Sequence, residues 1–149
     1  MTYFLIVLLV ALAIAPLLHF MPSKRQRKQA QLRERAALSG LFVEFRDLPG
    51  KAEALQRLPA SERQVIYYGQ RLPPSRGREQ RTGSWVRVEE GWRSVGSRLP
   101  TPPALATLGP EILGASVDES SCGVYWREQG DADTVDRIGA ALKAWLDEV

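Results

Sequence analysis

The sequence predicts an α+β protein: a single N-terminal transmembrane helix, a basic stalk helix, and a small cytosolic domain with a mostly antiparallel sheet and a C-terminal amphipathic helix. Three observations carry that prediction. Tyr3 to Met21 is an uncharged apolar run of nineteen residues, followed at once by Lys24, Arg25, Arg27, Lys28, Arg33 and Arg35. Beyond Gly40 the apolar pattern changes from helical to alternating with a period of two. The chain then closes on a stripe at helical spacing: Val135, Ile138, Leu142, Trp145, Leu146 and Val149. The expected divisions are an anchor at 1–22, a juxtamembrane helix at 23–40 and an α+β domain at 41–149.

At 1.5 Å per residue the apolar run crosses about 28 Å, one hydrocarbon core. A cleaved signal peptide is the rival reading, but it wants positive charge ahead of the apolar run, where here only the α-amino group stands. Ala11, Ala13 and Ala15 resemble a cleavage site, yet Pro16 follows directly. Basic residues flanking a span stay cytoplasmic, and six of them face the single acid Glu34 on the C-terminal side. The expected location is a bacterial inner membrane, crossed once, with the N-terminus periplasmic and the C-terminal domain cytoplasmic. Pro16 predicts at most a kink, and His19 an interfacial ring.

Ser23 reads as the N-cap of a helix that Gly40 stops. The segment between them is rich in helix formers but weakly apolar; Ala30, Ala37, Leu38 and Leu41, besides Leu32, form its only stripe, as in a stalk or surface helix. In LFVEFR the residues Leu41, Val43 and Phe45 share one face of a half-buried strand. Pro49, Gly50 and Pro59 predict a loop with a short helical turn at 52–57, and Val65 to Tyr68 a second strand buried on both faces. Trp85 to Glu89 and Trp92 to Val95 read as a hairpin closed at Gly91. The prolines from Pro100 to Pro110 permit only a short helix at Ala104 to Leu108. GASVDES and CGVYWRE form a second hairpin, and Asp133, with Asp136 three residues on, is the expected cap of the final helix.

Composition limits the chemistry. The only His, His19, lies at the membrane, and the only Cys, Cys122, reads as a small strand hydrophobe. No catalytic residue, metal ligand or cofactor is therefore inferred, and no small-molecule substrate. Phosphate-loop and dinucleotide fingerprints are missing, and a Ser-Lys dyad would need Lys51 or Lys143, which nothing singles out. Asp131, Asp133 and Asp136 superficially resemble a calcium loop, but Val135 stands where an oxygen ligand is required. A divergent enzyme would have to draw on Glu44, Asp47, Asp118 and Glu119.

Charge is uneven. Residues 1–100 carry seventeen Lys and Arg against eight Asp and Glu, and residues 101–149 three against nine, for nets of +9 and −6. Lys24, Arg25, Arg27 and Lys28 suit membrane lipid headgroups. Arg71, Arg76, Arg78 and Arg81 sit in a Pro- and Gly-bounded segment able to meet a polyanion, with a plain solvated loop as the simpler reading. The pattern argues against nucleic acid as a partner, because aromatic residues do not interleave with these arginines and the C-terminal third is acidic.

The sequence Phe20-Met21-Pro22 followed by Ser23-Lys24-Arg25-Gln26-Arg27-Lys28 is similar to the opening of the YajC-type accessory subunit of the bacterial preprotein translocase. The similarity covers about forty residues, and Met21-Pro22-Ser23-Lys24 stands where that family usually has Arg-Pro-Gln-Gln. It implies an accessory that binds other integral membrane proteins and performs no chemistry itself. The expectation is thus a non-enzymatic accessory or scaffold protein of a membrane complex, with a membrane-surface module for anionic lipid or another polyanion as the alternative.

Overall fold

The computed structural model describes residues 1–50, 59, 65–74, 82–96 and 98–148. The chain divides into two compact units, Met1–Ala30 and Gln31–Val149.

In the first unit, α1 (Thr2–His19) is long and apolar enough to cross a membrane, and every one of its side chains is exposed. Pro16 lies inside the helix, which continues through it to His19. The helix α2 (Lys24–Leu38) starts in this unit on a reciprocal cap. The Gln26 N–H donates to Ser23 Oγ at 3.2 Å and the Ser23 N–H to Gln26 Oε1 at 2.9 Å, so two amides without intrahelical partners are satisfied together. Ser23 is the cap the sequence predicts.

The last turns of α2 belong to the second unit, and Gly40 ends the helix as expected. The Leu41 N–H reaches back to the Ala36 carbonyl at 2.9 Å and the Gly40 N–H to the Ala37 carbonyl at 3.1 Å, with Gly40 at φ +79°, the left-handed turn that a residue without Cβ makes at little cost. The buried stripe differs from the expected one. Leu32, Ala36 and Leu41 enter the core, whereas Ala37 and Leu38 face solvent, Leu38 at 79% exposure. Of the two expected readings, stalk or surface helix, this part of α2 is the surface helix, its inward face completed by a small residue, Ala36.

Among the described residues the sheet holds six strands: β1 (Phe42–Phe45), β2 (Ile66–Arg71), β3 (Gly83–Val88), β4 (Gly91–Ser94), β5 (Ile112–Val117) and β6 (Ser121–Trp126). Their order is β1-β2-β6-β5-β3-β4, antiparallel at every pairing. Both predicted hairpins form, β3–β4 and β5–β6, and β5 carries one extra residue, Leu113, opposite the Trp126–Tyr125 step. The expected short helix appears as a 3-10 turn, Pro103–Thr107.

One face of the sheet is covered by α3 (Ala132–Glu148), the 3-10 turn and the last turns of α2; its core joins Ile66, Tyr68, Val124, Trp126, Trp85, Leu105, Ile138, Leu142 and Trp145. The other face gathers Val65, Tyr67 and Tyr125, with Phe42, Leu48 and Leu113 packed on them. Alternate residues of Val65 to Tyr68 thus enter different cores, which explains an unbroken apolar run in β2. Phe45 departs from expectation: at the end of a four-residue edge strand it is 73% exposed.

The cap of α3 is Asp131 rather than Asp133. Asp131 Oδ1 accepts from the Thr134 N–H and hydroxyl, both at 3.0 Å, while the Asp131 N–H donates to Thr134 Oγ1 at 3.3 Å. Asp133 falls in the first turn, where its charge still favours the helix dipole. Of the predicted stripe, Val135, Ile138, Leu142 and Trp145 are buried and Leu146 half-buried, while Val149 lies outside the described residues.

Candidate functional site

Lys24, Arg25, Arg27 and Lys28 occupy the first two turns of α2, all exposed, with no acid in the first turn. Four cations at a helix N-terminus oppose the helix dipole, so the helix itself gains nothing from them. Arg27 Nε donates to the Pro22 carbonyl at 3.2 Å, and none of the four forms an ion pair among the described residues.

Arg33 and Arg35, on the same helix but in the second unit, are held quite differently. Arg33 grips Glu128 with two parallel bonds, Nε to Oε1 at 2.8 Å and a terminal nitrogen to Oε2 at 2.9 Å, and the Tyr68 hydroxyl donates to Oε1 at 2.8 Å. The Glu128 side chain is wholly buried and its backbone sits at φ +56°, a left-handed conformation costly for a residue with a Cβ. Burial, reinforced by the bond to Glu128, pushes the Tyr68 phenol far above its ordinary range and keeps it a donor. Arg33 also lies 5.7 Å from the Phe45 ring centroid. Arg35 makes the same fork onto Asp136, both bonds 2.9 Å, in the open; the hydrogen bonds from Arg35 hold the Asp136 carboxyl below its usual range.

A second polar cluster lies on the opposite sheet face. Arg46 stacks 4.1 Å from the Tyr67 ring centroid while its Nε donates to Glu44 at 2.8 Å and a terminal nitrogen reaches Asp118 at 3.3 Å. Asp118 Oδ1 also accepts from the Ser120 N–H and hydroxyl and from the Ser121 N–H. Burial works against this carboxylate, but those donors and Arg46 outweigh it and set Asp118 below the ordinary carboxylate value. Tyr67 pairs with Ser121, and Tyr125 with Ser116, hydroxyl to hydroxyl at 3.1 Å each. The Tyr67 ring runs over Gly69 and Gly123, which face each other across β2 and β6; a Cβ on either would collide with it.

Of the carboxylates available to a divergent enzyme, Glu44 and Asp118 come together on Arg46, where both serve as acceptors for a guanidinium. Arg71 is exposed, stacks 5.1 Å from the Phe42 ring centroid and forms no ion pair among the described residues. Arg76, Arg78 and Arg81 lie outside the described residues, as do Lys51 and the segment 52–57. Burial pushes the Cys122 thiol up to about 12, in keeping with a strand hydrophobe. No group of three or more His, Cys, Asp or Glu among the described residues is placed to hold a metal ion.

Sequence reasoning missed Arg33–Glu128–Tyr68 and the Arg46 hub. Arg33 and Glu128 are 95 positions apart, and no local pattern marks them as partners. The arrangement defines a class, an α+β domain following one apolar helix and a cationic helix start. Going further, no protein-family model, no curated protein and no solved structure matches the chain.

Proposed function

We propose that the protein is a non-enzymatic, single-span accessory or scaffold protein of the bacterial inner membrane, with its N-terminus periplasmic and its domain cytoplasmic. The observation that carries this reading is the set of four cations at the start of α2, directly after the apolar helix and without a carboxylate partner among the described residues. Charges that disfavour their own helix find their use outside it, in holding that end of a span in the cytoplasm. The similarity of this exit to the YajC-type subunit points the accessory role toward the preprotein translocase. The buried Glu128 is occupied by Arg33 and Tyr68, and Tyr67 by Ser121, which supports a binding role over turnover.

A C-terminal tag, extraction in mild detergent and quantification of copurifying proteins test the proposal. A stoichiometric integral membrane partner, lost when α1 is replaced by an unrelated span, supports it. A C-terminal reporter active only in the periplasm, or turnover abolished by one side-chain substitution, overturns it.

The second reading is a surface module for anionic lipid or another polyanion, favoured by the four cations at the start of α2 and by Arg71, propped on Phe42, none of which has a carboxylate partner among the described residues. It predicts that a chain beginning at Pro22 binds anionic vesicles in a salt-sensitive way, weakened by Arg→Ala changes at 71, 76, 78 and 81. Equal binding to neutral vesicles counts against it.

A further inference from the structure

We propose that residues 31–39, the last turns of α2 and its cap, are a reversibly docked strap on the domain, released when phosphate anions compete for Arg33 and Arg35. The driving anion rests on the lipid reading above; the strap itself does not. Its hold joins a small apolar contact to ion pairs. Only Leu32 and Ala36 of these turns are buried, and the remaining grip is two guanidinium forks, one onto Glu128 and one onto Asp136. A guanidinium binds a phosphate with the same two-pronged geometry that it offers a carboxylate.

The Glu128 end makes the docking two-state. With Arg33 in place the carboxylate is dry, paired and additionally bonded by Tyr68. A partly withdrawn Arg33 would leave a buried charge without its cation, which is worse than either extreme. Full withdrawal opens Glu128 to water and frees its backbone from φ +56°. Glu128 is the one described residue other than glycine with a positive φ, and it sits where the strap is held. Such an element opens on its own, ahead of the sheet.

Hydrogen exchange of the full chain in nanodiscs tests this, with amides 33–39 compared against those of β6. Phosphatidylcholine discs, whose headgroup phosphate is balanced by choline, in buffer free of inorganic phosphate set the baseline; added inorganic phosphate and discs containing phosphatidylglycerol are the two arms. Acceleration of 33–39 by about tenfold, with β6 unchanged, is the expected result in at least one arm, and the arm that responds identifies the source as free phosphate or lipid headgroup. Asp136→Asn, an exposed change compatible with folding, should raise the baseline opening, and Glu128→Gln should raise it further. Equal exchange of 33–39 under all three conditions, or exchange of 33–39 only together with β6, overturns the strap. The lipid reading is judged separately by enrichment of phosphatidylglycerol with the purified protein. Enrichment without faster exchange overturns the strap and leaves the lipid reading standing; faster exchange with free phosphate alone, without enrichment, does the reverse.

Discussion

In the first two turns of α2, Lys24, Arg25, Arg27 and Lys28 meet no carboxylate among the described residues, whereas two turns later Arg33 and Arg35 each hold one through two hydrogen bonds. The residue type is the same and the helix is the same; what differs is what the chain brings opposite. A buried, forked pair is an element of the domain, and an unpaired surface cation is available for a field outside it. Counting basic residues along α2 therefore merges two populations with different surroundings.

The largest break in this comparison comes from Arg33→Ala. It leaves the Glu128 carboxylate buried with Tyr68 alone and should cost about 3 kcal/mol, the lower part of the range for an orphaned charge because Arg33 itself reaches solvent. Denaturant unfolding of the full chain in detergent, followed by tryptophan fluorescence, measures it. Leu32→Ala comes next, at about 2 to 3 kcal/mol for an almost fully buried leucine, and the same unfolding curve should shift by that amount.

A smaller effect is expected from Asp118, which serves as a reference on the other face of the sheet. Its folded-state pKa lies below its unfolded value of 3.8, so the carboxylate contributes stability above that pH and loses it as pH falls through the lower folded value. Asp118→Asn should therefore lower stability at neutral pH and flatten the acid limb of a stability-against-pH profile; an unchanged limb would show that Asp118 contributes nothing. Arg35→Ala removes an exposed pair and should lower the unfolding midpoint only slightly, less still as salt rises. Least of all for stability, replacing Lys24, Arg25, Arg27 and Lys28 together by Gln should not shift the unfolding curve, yet it should move a measurable fraction of a C-terminal reporter across the membrane. If that variant unfolds early, or if Arg33→Ala alone reverses the reporter, the division between the two halves fails.

Local chemistry was legible where a short-range rule decides the outcome. Ser23 and Gly40 bound α2 because a reciprocal cap and a left-handed turn are built from neighbours, and β2 was read as buried on both faces because Val65 to Tyr68 leave no polar alternate. The cap of α3 was misread because Asp131 and Asp133 are equally able to accept from backbone amides, and only the placement of Thr134 decides between them. The stripe of α2 was misread for a related reason. Ala36 and Ala37 look alike in composition, and the choice depends on which side the sheet lies. The Glu128 clamp and the Arg46 hub were invisible, since each joins residues from distant parts of the chain and a buried glutamate carries no mark in sequence.

The glycines under the Tyr67 ring act as a key for assembly of the sheet. Gly69 and Gly123 stand opposite each other on β2 and β6, and the ring passes over both to reach the Ser121 hydroxyl. Sliding β2 along β6 by two residues would keep every side chain on its proper face, an error that hydrophobic patterning cannot reject. It would also set Gly69 against Ser121 or Tyr125 and thrust a Cβ into the space the ring needs. Two missing methyl groups thus select one alignment of the central strands from a ladder of otherwise tolerable ones.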